Sequence, residues 1–395
     1  MRPELQDIVD EASVLLGADT TLEDTDFNLV AHGHQRSDVD AIRQSSILQR
    51  GSSRPVRDWF EQFGISRSAV PLRTPPDPAR GLRTRLCFPA RWRGVTYGYL
   101  WVLDEGTALE DPVVSVVAGL AEHAAGYLAQ LTRQHEDDAL AVADLVSTDT
   151  DKVATAAERL DERGALDPRQ PVVAVWVAAY RGPGSLELSP SLWSLPRAVL
   201  TDRGPAHATL VVPLRSLDDD GPAHQVAGQA LRLYAAELPV GGTARLAAGI
   251  GDPRAGLADL RASWLEARLA ARVAGSVDVL GPVARWAELG VYRLLVGRPS
   301  AELVALVLDP SVRALVDSPD SDLQHTVRTY LDLAGNVQET AAVLHVHRQT
   351  LYYRLGKVEA LTGLRFSDGH HRLRLHLALM LAPLLEHDRA TGEVT

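Results

Sequence analysis

Apolar residues fall at helical spacing over Leu5, Ile8, Val9, Ala12, Leu15 and Leu16, and this opening helix gives way to short strand-like pieces in TTLEDTDFNLVAHG. In RLCFPARWRGVTYGYLWVLDEG, Arg93-Gly94 separates two strand-like runs. Val95, Tyr97, Tyr99 and Trp101 alternate there with Thr96, Gly98, Leu100 and Val102, which predicts a hairpin packed on both faces. A helix is expected from Pro112 to about Thr132. On it Val113, Val117, Leu120, Ala124, Tyr127 and Leu131 recur at spacings of four and three, a seam about three heptads long. Such a seam either pairs two chains or packs on the sheet of its own chain.

From about 138 to 290 the pattern alternates. ADLVSTDTDKVATAAERLDERG is helical, QPVVAVWVAAY and HATLVVPL are buried strands, QVAGQALRLYAAELP is helical, ARLAAGIG is a strand and GLADLRASWLEARLAARVAG a helix. Helices over a sheet, in an α/β arrangement, follow. Residues 300–322, rich in Pro, Ser and Asp, read as a connection to a C-terminal helical module. The expected division is an α+β module at 1–134, an α/β domain at 138–290, a helical linker at 291–322, a helical bundle at 323–386 and a disordered tail at 387–395. A chain of 395 residues is long enough for several such cores.

With 46% hydrophobic and 23% charged residues the composition is that of ordinary globular proteins. No apolar run approaches the ~20 residues of a membrane span, and MRPELQDIVDEASVLL carries acids where a signal peptide would be basic, so a cytoplasmic protein without a membrane partner is expected. Cys87 is the sole cysteine, which excludes an internal disulfide and a thiolate zinc site. The net charge of −11 argues against generic nucleic-acid binding, but its distribution is uneven. Residues 323–376 hold seven Lys or Arg against four acids, a local +3 that leaves −14 for the rest. A small basic module joined to acidic domains fits that asymmetry.

The order of elements at 1–134 resembles a GAF- or PAS-type sensory module. Tyr97, Tyr99, Trp101 and Trp92 are its candidate effector-binding residues, with hairpin core as the competing reading. The run AAGIGDPRAGLADLRASWLEARLAARVAG resembles the end of the nucleotide-cyclase-like fold of GGDEF domains. Such enzymes hold divalent metal through carboxylates, and those are missing here. The first strand reads VVAVWVAAYRG, and HATLVVPLRSLDDDG stands where the GG(D/E)EF hairpin is expected. Asp218, Asp219 and Asp220 read as a solvated turn, and GIGDPRAG has the wrong spacing for a dinucleotide fingerprint. No GxSxG, Walker A or HExxH occurs, and the histidines past residue 324 form no i, i+4 metal pair. Neither a metal, a cofactor nor catalysis is expected; the middle domain reads as a degenerate scaffold or ligand receptor.

The chemistry concentrates in AGNVQETAAVLHVHRQTLYYRLGKVEALTG. Leu323, Val327, Leu331 and Ala334 share one helical face, and Gly335 ends that helix. Asn336 with Glu339 reads as a capping box for a second helix with Val337, Ala341 and Leu344 buried. His345-Val346-His347 is a three-residue turn, the spacing that leaves the next helix protruding in a DNA-binding helix-turn-helix. There Leu351, Leu355 and Val358 face inward, while His347, Arg348, Gln349, Thr350, Tyr352, Tyr353, Arg354 and Lys357 are the candidate DNA-contacting residues. Arg can bridge guanine O6 and N7 and Gln adenine N6 and N7, while Tyr or Lys can hold phosphates. A three-helix protein-interaction domain with a solvated polar face is the competing reading.

These residues also resemble the C-terminal helix-turn-helix of PucR/CdaR-type bacterial transcriptional regulators, in Val-x-x-Tyr-Leu at 327–331, Gly-Asn, Ala-Ala-x-Leu-His-Val-His-Arg-x-Thr-Leu-x-Tyr-Arg-Leu and Glu-x-Leu-Thr-Gly. Gln349 stands where Asn is common and Gly356 where Arg is common. The resemblance implies a sequence-specific regulator, at least dimeric, that binds double-stranded operator DNA under control of a small, often nitrogenous, metabolite. Its signal is expected to travel through 113–134 and 300–322. The alternative is a nucleotide-binding signalling protein whose C-terminal helices mediate protein contacts.

Overall fold

The computed structural model describes residues 3–391 except 34–39, 50, 53, 105, 107, 109–110, 181–187, 189–191, 193–194, 239–243, 278–279, 297–301 and 303–306. Mixed α/β structure fills the N-terminal and middle regions, and helices fill the C-terminal one.

The N-terminal sheet runs β2-β1-β5-β4-β3, antiparallel throughout, from β1 (Thr20–Asp24), β2 (Leu29–His32), β3 (Leu72–Thr74), β4 (Arg85–Trp92) and β5 (Val95–Leu103). Arg93 and Gly94, at φ 51° and 85°, form the tight β4–β5 turn, a backbone twist that suits the right-handed twist of the strands. One face is closed by α1 (Pro3–Leu16) and α4 (Pro112–Leu145) over Leu22, Leu86, Phe88, Leu100 and Val102. The other is closed by α2 (Ala41–Gln49) and α3 (Arg54–Glu61) over Phe27, Phe60, Cys87, Tyr99 and Trp101.

Helix α4 does not end near Thr132 as its seam suggested. Nothing in TRQHEDDALAVADL breaks a helix, and its 34 residues run on to place Ala141, Val142 and Leu145 in the core of the middle region. Asp111 caps its start by accepting from the Val113 N–H at 2.9 Å, with Pro112 at the first turn. By length and composition it is apolar enough to cross a membrane, yet its stripe of Val114, Val117, Ala121, Ala124, Ala125 and Leu128 packs on the chain's own sheet. The heptad seam therefore takes the intrachain option.

The middle sheet runs β10-β9-β6-β8-β7: β6 (Val172–Tyr180), β7 (Leu200–Arg203), β8 (His207–Pro213), β9 (Arg245–Ile250) and β10 (Val283–Arg285). Among the described residues only the β9–β10 pair is parallel. Helix α6 (Gly221–Glu237) covers one face, and α5 (Thr150–Glu162), α7 (Leu260–Ser276) and the end of α4 cover the other. Gly249 and Gly251 of GIGDPRAG serve that packing. A Cβ at Gly249 would sit 1.9 Å from the Ala267 carbonyl oxygen, and one at Gly251 2.1 Å from that of Ser263, so only Gly lets α7 descend on β9. The hairpin expected at HATLVVPLRSLDDDG is instead β7–β8, with its turn at residues 204–206. The strand β7 was illegible because LTDR has no alternation to recognise.

The C-terminal helices are α8 (Tyr292–Val296), α9 (Pro310–Val316), α10 (Ser321–Asp332), α11 (Val337–Val343), α12 (Arg348–Thr362) and α13 (Gly369–Thr391). Their core is continuous with that of α7: Ala274 and Val277 join Tyr292, Val296, Val312, Leu315, Leu323, Val327, Leu351 and Leu375 in one cluster. The stretch expected to be a linker is thus part of the core where it is described. The tail expected from 387 is helical to Thr391; residues 392–395 lie outside the described set.

Candidate functional site

Helix α10 stops because Ala334 and Gly335 turn left-handed, at φ 53° and 81°. The positive φ is what calls for glycine at 335, since the side-chain end that a Cβ would meet there, Arg372 Nη2, can swing away. Asn336 then caps α11, its Oδ1 accepting from the Gln338 and Glu339 N–H groups at 3.1 and 3.2 Å. The capping box has this one arm only, because the Asn336 N–H donates to the Leu333 carbonyl at 3.0 Å. The residue of α11 sealed from solvent is Thr340, whose hydroxyl donates to the Asn336 carbonyl at 2.6 Å, while Val337, Ala341 and Leu344 are half-buried against the core. A hydroxyl satisfied within its own helix packs like an apolar group.

The chain turns at His345, φ 54°, and restarts at His347, whose Nδ1 accepts from the Gln349 N–H at 3.3 Å. Helix α12 buries Leu351, Leu355, Val358 and Thr362, and ends at left-handed Gly363. On its other side His347, Arg348, Gln349, Thr350 and Lys357 are exposed, and Tyr352 and Tyr353 more so than most large side chains, at 59% and 72%. Gly356 faces open space.

Besides His347, which caps its own helix, two of the eight candidates are tied to acids of the same chain. Arg354 is half-buried; it donates to Asp322 Oδ2 at 2.7 Å and to Thr326 Oγ1 at 3.1 Å. Lys357 Nζ donates to Asp320 Oδ2 at 2.9 Å, which holds the Asp320 carboxyl below the usual range and raises the Lys357 ammonium. These ties join α12 to the start of α10 and orient it. The sequence pattern put all eight on a polar face; it carried no signal that acids 32 to 37 residues earlier would face two of them.

The four aromatic candidates in the N-terminal region are not brought together. Tyr99 and Trp101 lie in the aromatic cluster under α2 and α3, with Phe27 5.4 Å from Tyr99 and Phe60 4.5 Å from Trp101 between ring centroids. Tyr97 packs on the opposite side, against the α1/α4 core. The reason is a bulge: β5 pairs Gly98 with Ala90 but Thr96 with Arg91, so Tyr97 is extra and the side-chain alternation resets there. Trp92 is 37% exposed at the hairpin end, over Gly126.

The Tyr99/Trp101 face holds charge that sequence reasoning missed. Asp40 takes both oxygens to Arg85 Nη2 at 2.8 and 2.9 Å and also accepts from the Arg43 N–H at 2.6 Å. Although burial works against ionisation, the Arg85 guanidinium and these N–H groups hold its carboxyl below the usual range. Arg43 and Arg85 are 1% and 3% exposed. Arg43 Nη1 donates to Thr21 Oγ1, and Nη2 reaches only the Asp19 carbonyl at 3.5 Å. Burial pushes Glu23 up to about 7 and pulls Arg43 down to about 9.

Comparison with known proteins agrees with the geometry of the C-terminal helices. Residues 323–381 match the PucR C-terminal helix-turn-helix domain and residues 144–273 the GGDEF-like domain. The chain is 22% identical over 407 aligned positions, covering 96% of each, to the proline-responsive transcriptional activator PutR of Bacillus subtilis (strain 168). It is 42% identical over 66 residues to the purine catabolism regulatory protein of the same organism, 17% of this chain and 12% of that one. A solved structure, the regulator of polyketide synthase expression from Bifidobacterium adolescentis, aligns with 64% of this chain and 99% of its own at 17% identity and a TM-score of 0.25.

Proposed function

We propose that this chain is a transcriptional regulator of the PucR type that reads operator DNA with the first two turns of α12 under control of a small effector bound in its N-terminal region. The observation that carries the reading is the outward face of His347, Arg348, Gln349, Thr350, Tyr352 and Tyr353 on a helix whose inward face is locked by Leu351, Leu355 and Val358. An exposed, rigid and polar N-terminal half is what a major groove admits. Arg354 and Lys357 support it from within, by fixing the helix to α10.

The chain acts as a homodimer or larger in the cytoplasm, so that two α12 helices meet half-sites about 34 Å apart. Its effector is a small nitrogenous metabolite. The relative aligned along its length is named for its response to proline, which makes an amino acid the first candidate. The N-terminal region is the sensory module, residues 138–290 are a non-catalytic scaffold, and the 34-residue α4, shared by the cores of both, carries the signal. Selection of bound fragments from genomic DNA by the purified protein tests this: recovered fragments should share paired half-sites and compete in a salt-sensitive gel shift. Random recovery, with no salt-sensitive shift, would refute it.

A further inference from the structure

The two faces of the N-terminal sheet are built differently. Over one lie helices of 14 and 34 residues above an aliphatic core. Over the other lie helices of nine and eight residues, packed on an aromatic core that holds Phe27, Phe60, Tyr99 and Trp101. Beside that core Arg85 has its carboxylate, but Arg43 has none at hydrogen-bonding distance among the described residues. Its Nε lies buried without a partner there, and its Nη2 has only the 3.5 Å contact to a carbonyl. Nε and Nη2 are the edge of a guanidinium that takes a carboxylate through two parallel bonds. A buried cation left in this condition is costly, and a fold keeps one where something completes it.

We infer that Arg43 anchors the carboxylate of a small effector through its Nε/Nη2 edge, under the short helices α2 and α3 and beside the aromatic core of Phe60, Tyr99 and Trp101. This rests on the reading of the chain as an effector-controlled regulator and names the chemistry of the ligand. Thr21 holds the other edge of the guanidinium and fixes its plane. Asp40 pairs with Arg85 through both oxygens, whereas the acids near Arg43 act on it without touching its Nε/Nη2 edge. Glu23, whose carboxyl interacts with both guanidinium groups, stands ready to receive an ammonium group if the ligand has one.

The test uses the full chain. Each common amino acid, its carboxamide, and the amine-free acids propionate and succinate are titrated by calorimetry, with tryptophan emission followed in parallel. At least one acid should bind, with its carboxamide roughly tenfold weaker or worse. Arg43→Gln should weaken that acid about tenfold or more while leaving the ligand-free DNA shift unchanged. Arg43→Lys, which keeps the charge but loses the fork, should not restore it. If Arg43→Gln is unfolded by circular dichroism, Thr21→Val replaces it, and a several-fold loss is expected. The inference is overturned if no acid binds, or if acids bind these variants as they bind the parent chain. Binding of a carboxamide that alters the DNA shift regardless of Arg43 overturns this site but keeps effector control. Acid binding through Arg43 with no DNA shift in any state keeps the site and overturns the regulator reading.

Discussion

Arg43 lies 1% exposed beneath a nine-residue helix, whereas Arg348 stands on the open first turn of α12. The same guanidinium fork serves both places under opposite physics. Inside, water is excluded, each unmatched N–H is expensive, and neighbours shift one another's protonation. Outside, water satisfies every donor until a partner replaces it, so affinity comes largely from counterion release and selectivity from the geometry of base contacts. The inner site should therefore govern stability and pH response, and the outer one DNA affinity with little effect on stability.

The largest expected effect is Arg85→Ala, which leaves the buried Asp40 carboxylate without its counter-charge. It should cost about 3–5 kcal/mol, read as early loss of the N-terminal region in a thermal melt. The paired change Arg348→Ala with Tyr353→Ala should leave the melt within about 0.5 kcal/mol, since both side chains are exposed, yet weaken operator binding by roughly 100-fold in a gel shift. If the melt falls instead, the outer face is structural and the contrast fails.

A smaller effect concerns pH. Burial holds Glu23 near 7 against an ordinary 4.5, so the folded chain keeps a proton that the unfolded chain releases between those values. That stability is complete below the lower value and is lost as pH rises through the upper one. Asp24, raised to about 6 by burial, adds the same sign, while Asp40 contributes the opposite sign at low pH. Melting temperature of the N-terminal region should fall from about pH 5 to 8, and Glu23→Gln should flatten most of the slope. A slope unchanged in that variant would remove Glu23 from the account. Smallest of all, Asp320→Asn with Asp322→Asn releases Lys357 and Arg354 and should tighten DNA binding by roughly two- to tenfold at low salt. Weaker binding would mean that the two ties matter more for aiming α12 than for screening it.

Much of the outer site was legible, because a helix-turn-helix is a local device. Asn336, the turn at residues 345–347 and the inward Leu351, Leu355 and Val358 are set by nearest neighbours and by a period of 3.6 residues. Thr340 and the one-armed cap at Asn336 departed from the pattern because hydroxyl and N–H groups found partners within one turn. The inner site was illegible: Glu23, Arg43 and Arg85 sit on three elements with no shared spacing, and sequence shows neither depth nor counter-charge. Tyr97 was misread for a related reason, since one extra residue in β5 reverses a face and leaves no mark in the alternation.

By itself the sequence determined the order of helices and strands, the turn before α12 and the chemistry of its outward face, all of which follow from short-range periodicity and capping. Tertiary structure alone decided that α4 runs through two cores, that Arg354 and Lys357 answer to Asp322 and Asp320, and that Arg43 is sealed from water with one edge unmatched. Those outcomes depend on which distant residues meet and how much solvent remains between them, and burial, unlike periodicity, is a property of the packed chain.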